Sequence, residues 1–431
     1  MDRSLSERVK EKVLLYDGSK GVMLQKIGLG GSESAESYNI LHPDFVRGIY
    51  EAYINAGSDL IQTNTFQANR VSLKKHGLDG EFSKITELGV KMAIEAAKNE
   101  NKVAVSAGPT SRFFEPLGEM SFENAVSVFA EQSKASEDAG AKIINFETFT
   151  DLTELRAAVI GARENTKLEI IANATFDENR KTLMGNPPEA CAVTLKALGA
   201  AVVGANCSGG PESLIKPIKA MYNSVGGPLC VKPNAGVPDI VNGDTVFSET
   251  ADSFIKFMPE FIKNGVRIIG GCCGTTPEHI AAMRRSLDCA GIDKYEDTAP
   301  KALISSPFEV LELNEKINLR KLDFGDGTLS DAFLSGDFDS VNDYALGKAE
   351  GAECVIIDLS GLPEDGPDYW GLASNLVMAL RQPVILRGGA AAVRFLRYYT
   401  GRCGYIARND ELKERSLFYG ALILDENLRP L

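Results

Sequence analysis

Val266-Arg267-Ile268-Ile269-Gly270-Gly271-Cys272-Cys273-Gly274-Thr275-Thr276-Pro277 reads as a buried strand that breaks on glycine and turns into a helix. Thr276 suits an N-cap and Pro277 a first helical position. Ala201-Val202-Val203-Gly204-Ala205-Asn206-Cys207-Ser208-Gly209-Gly210 repeats the pattern, again with a cysteine at the strand end. Upstream, short apolar runs recur at Val13–Asp17, Asp59–Thr63, Val103–Ala107, Ile143–Glu147, Ile170–Asn173 and Leu229–Asn234. Helical stretches separate them, such as Phe122 to Ala139 with Gly140 as its stop signal. Eight such units within the first 275 residues predict a (β/α)₈ TIM barrel rather than an open doubly wound sheet.

The chain has 431 residues, so a second domain is expected beyond the barrel. It is 44% hydrophobic and 24% charged, as in soluble globular proteins, and its formal charge of -13 argues against nucleic acid or an anionic membrane as partner. No apolar run approaches the ~20 residues that span a bilayer. Met1 to Lys12 is charged and lacks the apolar stretch of a signal peptide. Eight cysteines in no regular spacing do not form a disulfide framework, which points to a reducing, cytoplasmic setting.

In a (β/α)₈ barrel the active site gathers at the C-terminal strand ends. Here those ends carry Asp17, Thr63, Asn64, Thr65, Glu147, Thr148, Asn173, Asn206, Cys207, Asn234, Cys272 and Cys273. Cys207 ends the sixth run and Cys272-Cys273 the eighth, two strand steps or roughly 10 Å apart on the rim. Two readings fit these cysteines: small buried hydrophobes, or a zinc site with an open fourth position. The rim spacing favours zinc. Of the three histidines, His279 falls in the first turn after the cysteine corner, where a helix or solvent role fits better than ligation. His42 and His76 lie in loop-like segments, and Cys191, Cys230, Cys289, Cys354 and Cys403 read as structural.

Six segments occur in order: Asp17-Gly18-Ser19-Lys20-Gly21-Val22-Met23-Leu24, Gln62-Thr63-Asn64-Thr65-Phe66, Phe146-Glu147-Thr148-Phe149, Gly204-Ala205-Asn206-Cys207, Pro233-Asn234-Ala235-Gly236 and the cysteine corner. Together, over roughly residues 10 to 290, they resemble the homocysteine S-methyltransferase family, which includes the homocysteine-binding module of cobalamin-dependent methionine synthase. Ser19-Lys20 departs from the family pattern of a small residue followed by an apolar one. The resemblance implies that Cys207, Cys272 and Cys273 bind Zn²⁺. It also implies that Glu147 holds the ammonium of homocysteine, and that Asp17, the Gly18 backbone and Thr63 contact the amino-acid head group. Glu147 also reads as a plain helix-start carboxylate. Asn234 either takes the fourth zinc position when no thiol is bound or orients its loop.

The chemistry is consistent with that resemblance. A free thiol has a pKa near ~8.5, so little thiolate exists at neutral pH, and zinc coordination deprotonates it. Three thiolates leave a zinc site with net charge -1, and a substrate thiolate makes it -2; such a site keeps the sulfur nucleophilic toward a methyl group. Hydrolytic zinc sites favour histidine or mixed ligands instead. None of the histidines sits in an Asp-x-His-x-x-Gly setting, so the methyl donor is expected to be a methylcorrinoid on a separate protein. Methyltetrahydrofolate and a small onium donor (betaine or S-methylmethionine) are the alternatives. A non-catalytic zinc- or thiol-binding scaffold is the reading from a different class, and homo-oligomerisation is open.

The expected boundaries are a barrel over 1–290, a linker over 291–307 and a partial α/β domain over 308–431. The last segment shows strand-like runs at Val310–Leu313, Cys354–Asp358, Val384–Leu386 and Ala421–Leu424, with helices over Ser340–Glu350 and Asp368–Leu380. Leu313 to Asn318 and Ile357 to Ser360 faintly resemble the opening of a methyltetrahydrofolate-binding barrel. Lys316 and Ser360 stand where that family has arginine and asparagine, so folate binding is not expected. The segment is predicted to pack on the barrel, self-associate or dock a methyl-delivering protein.

Overall fold

The computed structural model describes residues 3–30, 33–241, 244–289, 301–314, 316–325 and 327–431. The chain divides into two compact units, Met1–Leu183 with Ala200–Thr298, and Met184–Gly199 with Ala299–Leu431.

The first unit is built on eight parallel strands: β1 (Leu14–Leu15), β2 (Ile61–Gln62), β3 (Val103–Ala107), β4 (Ile143–Phe149), β5 (Glu169–Ala174), β6 (Val202–Cys207), β7 (Leu229–Pro233) and β8 (Val266–Ile269). Their order is β1-β8-β7-β6-β5-β4-β3-β2, and a parallel bridge between Tyr16 and Leu60 joins the two ends. The sheet therefore closes on itself, which removes both edges. β3 and β7 are buried at every position because helices cover the outside and side chains fill the inside. An antiparallel hairpin, Pro238–Val241 with Asp244–Phe247, interrupts the path from β7 to β8 and had no counterpart among the expected elements.

The barrel interior is layered by the period-two alternation of its strands. Leu14, Leu60, Ala104, Ile143, Ile171, Val202, Cys230 and Ile268 form one apolar layer, joined by Leu5 and Val9 of the helix Leu5–Glu11. That helix starts with a capping box on Ser4 and Glu7, and Glu169 accepts its Leu5 and Ser6 backbone N–H groups at 2.6 and 3.0 Å. Two residues further along the strands, the same inward positions become Asn145, Asn173 and Lys232. Two further on they are Glu147 and Asn234, so polarity rises toward the C-terminal ends.

The second unit holds a five-stranded parallel sheet in sequential order: β11 (Leu319–Asp323), β12 (Cys354–Asp358), β13 (Val384–Arg387), β14 (Gly404–Ile406) and β15 (Leu422–Leu424). Helices including Phe338–Ala349 and Tyr369–Ala379 bury one apolar cluster with it, and Ile304, Cys354, Ile385, Ile406 and Leu424 form another. Val310–Glu312 (β10) pairs antiparallel with Leu303–Ser305 (β9) and lies outside the five-stranded sheet. β11 and β14 have no counterpart among the expected strands, because β11 carries Arg320, Lys321 and Asp323 and β14 is three residues long and starts on glycine. Of the expected linker, 291–300 lies outside the described residues, and 303–305 is strand β9. The helix Pro188–Ala197, expected within the barrel segment, clusters with the second unit. No described helix is long and apolar enough to cross a membrane.

Candidate functional site

Cys207 closes β6 with φ 60°, and Ser208 follows at φ 66°; both non-glycine residues sit in the left-handed region, which turns the loop sharply at the strand end. Cys272 and Cys273 follow β8 in the turn before the helix Pro277–Cys289. That turn depends on Gly274 at φ 80°, where an added Cβ would lie 2.2 Å from Phe247 Cγ. Backbone bonds tie both cysteine segments to the end of β7 and the residues after it: the Cys272 N–H donates to Pro233 O at 2.8 Å, the Ala235 N–H to Cys273 O at 2.9 Å, and the Asn234 N–H to Gly209 O at 3.1 Å.

This folding brings the Sγ atoms of Cys207, Cys272 and Cys273 within 4.8 Å of one another. Among the described residues it is the one cluster of three His, Cys, Asp or Glu ligand atoms. The spacing fits one tetrahedral ion, because Zn–S bonds of ~2.3 Å separate neighbouring sulfurs by about 3.8 Å. Hydrogen bonds from Cys272, Cys273 and Asn234 pull the Cys207 thiol down to about 3. The reciprocal contact with Cys207 pushes Cys272 up to about 11, and Cys273 is raised as well.

Asn234 ties the two cysteine segments together: its Nδ2 donates to Ser208 O at 3.0 Å and its Oδ1 accepts from the Cys273 N–H at 3.1 Å. Asn206 is buried beneath them, taking the Thr148 N–H at 2.7 Å and donating to Thr148 Oγ1 at 2.8 Å. His279 lies in its helix, where Nδ1 meets Thr276 Oγ1 at 3.1 Å and Nε2 meets Glu249 O at 3.1 Å. Cys191, Cys230, Cys354 and Cys403 are buried apart from the cluster, and Cys289 is exposed.

A cavity of about 270 Å³ opens onto the three cysteines and is also lined by Gly18, Lys20, Thr63, Ser106 and Glu147. Glu147 is buried; Ser106 Oγ donates to its Oε1 at 2.5 Å and Lys232 Nζ to its Oε2 at 2.6 Å. Lys232 also bonds Gln62 Oε1 and lies 4.5 Å from the Tyr16 ring centroid. Burial works against its charge, but Glu147, Cys272 and Asp17 outweigh that and raise its pKa. Asp17, at 0% exposure, accepts from Lys20 Nζ at 2.6 Å and from the Gln62 N–H at 2.9 Å. In that pair burial dominates, raising Asp17 and lowering Lys20. Thr63 sits in a hydroxyl chain, 2.5 Å from Thr65 Oγ1 and accepting the Ser106 N–H at 3.1 Å.

A profile described as homocysteine S-methyltransferase matches residues 14–287. The chain belongs to the homocysteine S-methyltransferase family. It is 26% identical over 445 residues to methionine synthase of Mycobacterium tuberculosis strain H37Rv, covering 95% of this chain and 36% of that protein. Methionine synthase of Mycobacterium leprae is likewise 26% identical, covering 93% and 36%. The chain thus spans about a third of the length of these relatives. Among solved structures, the metallated form of the Escherichia coli homocysteine methyltransferase MmuM aligns with a TM-score of 0.54 at 22% identity, covering 64% of this chain and 96% of that one. Its oxidised form gives 0.54 at 24% identity, covering 66% and 98%. At these identities the alignments establish a shared barrel fold.

Proposed function

We propose that this protein is a zinc-dependent homocysteine S-methyltransferase that makes methionine. The observation that carries this reading is the convergence of Cys207, Cys272 and Cys273 on one cavity with Glu147, Thr63 and Gly18. Cys207, Cys272 and Cys273 hold the ion and leave one position for the substrate sulfur. Bound zinc supplies a substrate held as thiolate at neutral pH. Glu147 takes the α-ammonium, Asp17, Thr63 and the Gly18 backbone complete the head-group contacts, and Asn234 keeps the cysteine segments in register.

The transfer itself needs no proton from the protein. The sulfur forms a bond to the methyl carbon as the donor–methyl bond breaks, and the donor leaves with that electron pair. The cavity of about 270 Å³ suits an amino-acid thiol, so a bulky donor approaches from outside the mouth. We assign that donor as a methylcorrinoid carried by a separate protein. The test is methionine formation by zinc-loaded protein with a methylated corrinoid protein, methyltetrahydrofolate, betaine and S-methylmethionine in parallel. Turnover with the corrinoid protein alone is expected. Full turnover with betaine or S-methylmethionine alone overturns the donor assignment, and no turnover with any donor overturns the activity.

A further inference from the structure

Two lysines pair with the two carboxylates, and they do different work. Lys232 is fully buried and locked between Gln62 and Glu147. Lys20 instead lines the cavity that holds the three cysteines. Its bond to Asp17 Oδ2 is its one hydrogen bond among the described residues, so further N–H groups of its ammonium are unused. Tyr50 and Tyr53 flank it, with ring centroids 6.0 and 5.9 Å from Nζ. On the acid, Oδ2 takes both available donors while the buried Oδ1 has no partner. The pair therefore offers an unused cationic donor beside an unused anionic acceptor.

We propose that Lys20 is a specificity-determining residue that receives the carboxylate of the thiol substrate. The inference rests on the homocysteine reading above and adds the group that selects among thiols. A carboxylate entering the cavity finds Lys20 already held in place by Asp17 and by the two tyrosine rings, so little side-chain freedom is lost on binding. A thiol without a carboxylate leaves that ammonium poorly solvated. Charge-assisted hydrogen bonds of this kind separate ligands by roughly tenfold or more.

The test is equilibrium binding of L-homocysteine, 4-sulfanylbutanoate and 3-aminopropane-1-thiol to zinc-loaded wild type, Lys20→Met and Lys20→Gln. Glutamine retains a hydrogen bond to Asp17, so a folding defect of the methionine variant does not decide the outcome. The affinity for 4-sulfanylbutanoate relative to 3-aminopropane-1-thiol is expected to fall at least tenfold from wild type to both variants. A merely structural Lys20 would weaken all three thiols together. A ratio unchanged in the variants overturns the assignment of Lys20 alone. Absence of zinc-dependent binding of every thiol by wild type overturns the thiol-site reading, and this inference with it.

Discussion

Lys232 Nζ lies 2.6 Å from Glu147 Oε2, with both side chains buried in the barrel and 85 residues apart in sequence. Removing one partner of a buried ion pair leaves an uncompensated charge, whereas removing both does not. Lys232→Met is therefore expected to lose about 3–5 kcal/mol of stability in denaturant unfolding. The double variant Lys232→Met/Glu147→Gln should recover at least half of that loss. Additive losses in the double variant would show that the pair is not coupled.

Gly274 makes a separate prediction about the metal site. Its φ of 80° and the 2.2 Å approach of a would-be Cβ to Phe247 mean that alanine must shift the cysteine turn. Gly336 has a similar φ of 78° but open space around it, so Gly336→Ala carries only the backbone penalty of about 1 kcal/mol. Competition with a chromophoric chelator should show zinc affinity at least tenfold weaker in Gly274→Ala and unchanged in Gly336→Ala. Equal affinities would mean that the turn does not position the sulfurs.

Glu154 gives the pH dependence. Burial pushes its carboxyl up to about 7, although Thr110 donates to Oε1 from its backbone N–H at 2.7 Å and its hydroxyl at 2.6 Å. A raised folded-state pKa means that folding favours the protonated form. The associated stability is complete below the ordinary carboxylate pKa and declines as pH rises through about 7. Glu154→Gln keeps an oxygen acceptor for Thr110 without the charge. It should stabilise the protein at pH ~8 by on the order of 1–3 kcal/mol relative to its effect at pH ~4. The same stability difference at both values would contradict the burial argument.

The barrel and the cysteine cluster were legible because both follow from strand periodicity. Buried parallel strands are apolar on both faces, and a cysteine at a strand end lands on the rim wherever the strand sits in the barrel. Lys232 was missed because its partner lies on another strand, and a lone lysine in Leu229–Pro233 looks like an interruption. The signal was present: Cys230, Lys232 and Asn234 alternate up the inside of β7, so a residue two before a mouth position faces the same interior. The bond between Lys20 and Asp17 was similarly hidden, although Lys20 stood out as a departure from the family pattern. The hairpin Pro238–Phe247 and the grouping of Pro188–Ala197 with the second unit depend on tertiary packing that no local pattern encodes.

Sulfur ligation of one ion, with a place for a substrate sulfur, is best probed by zinc X-ray absorption of the loaded protein with and without homocysteine. Three sulfurs at ~2.3 Å and one lighter ligand are expected alone, changing to four sulfurs with homocysteine. Fewer than three sulfurs in the free protein, or an unchanged first shell after homocysteine is added, would contradict it.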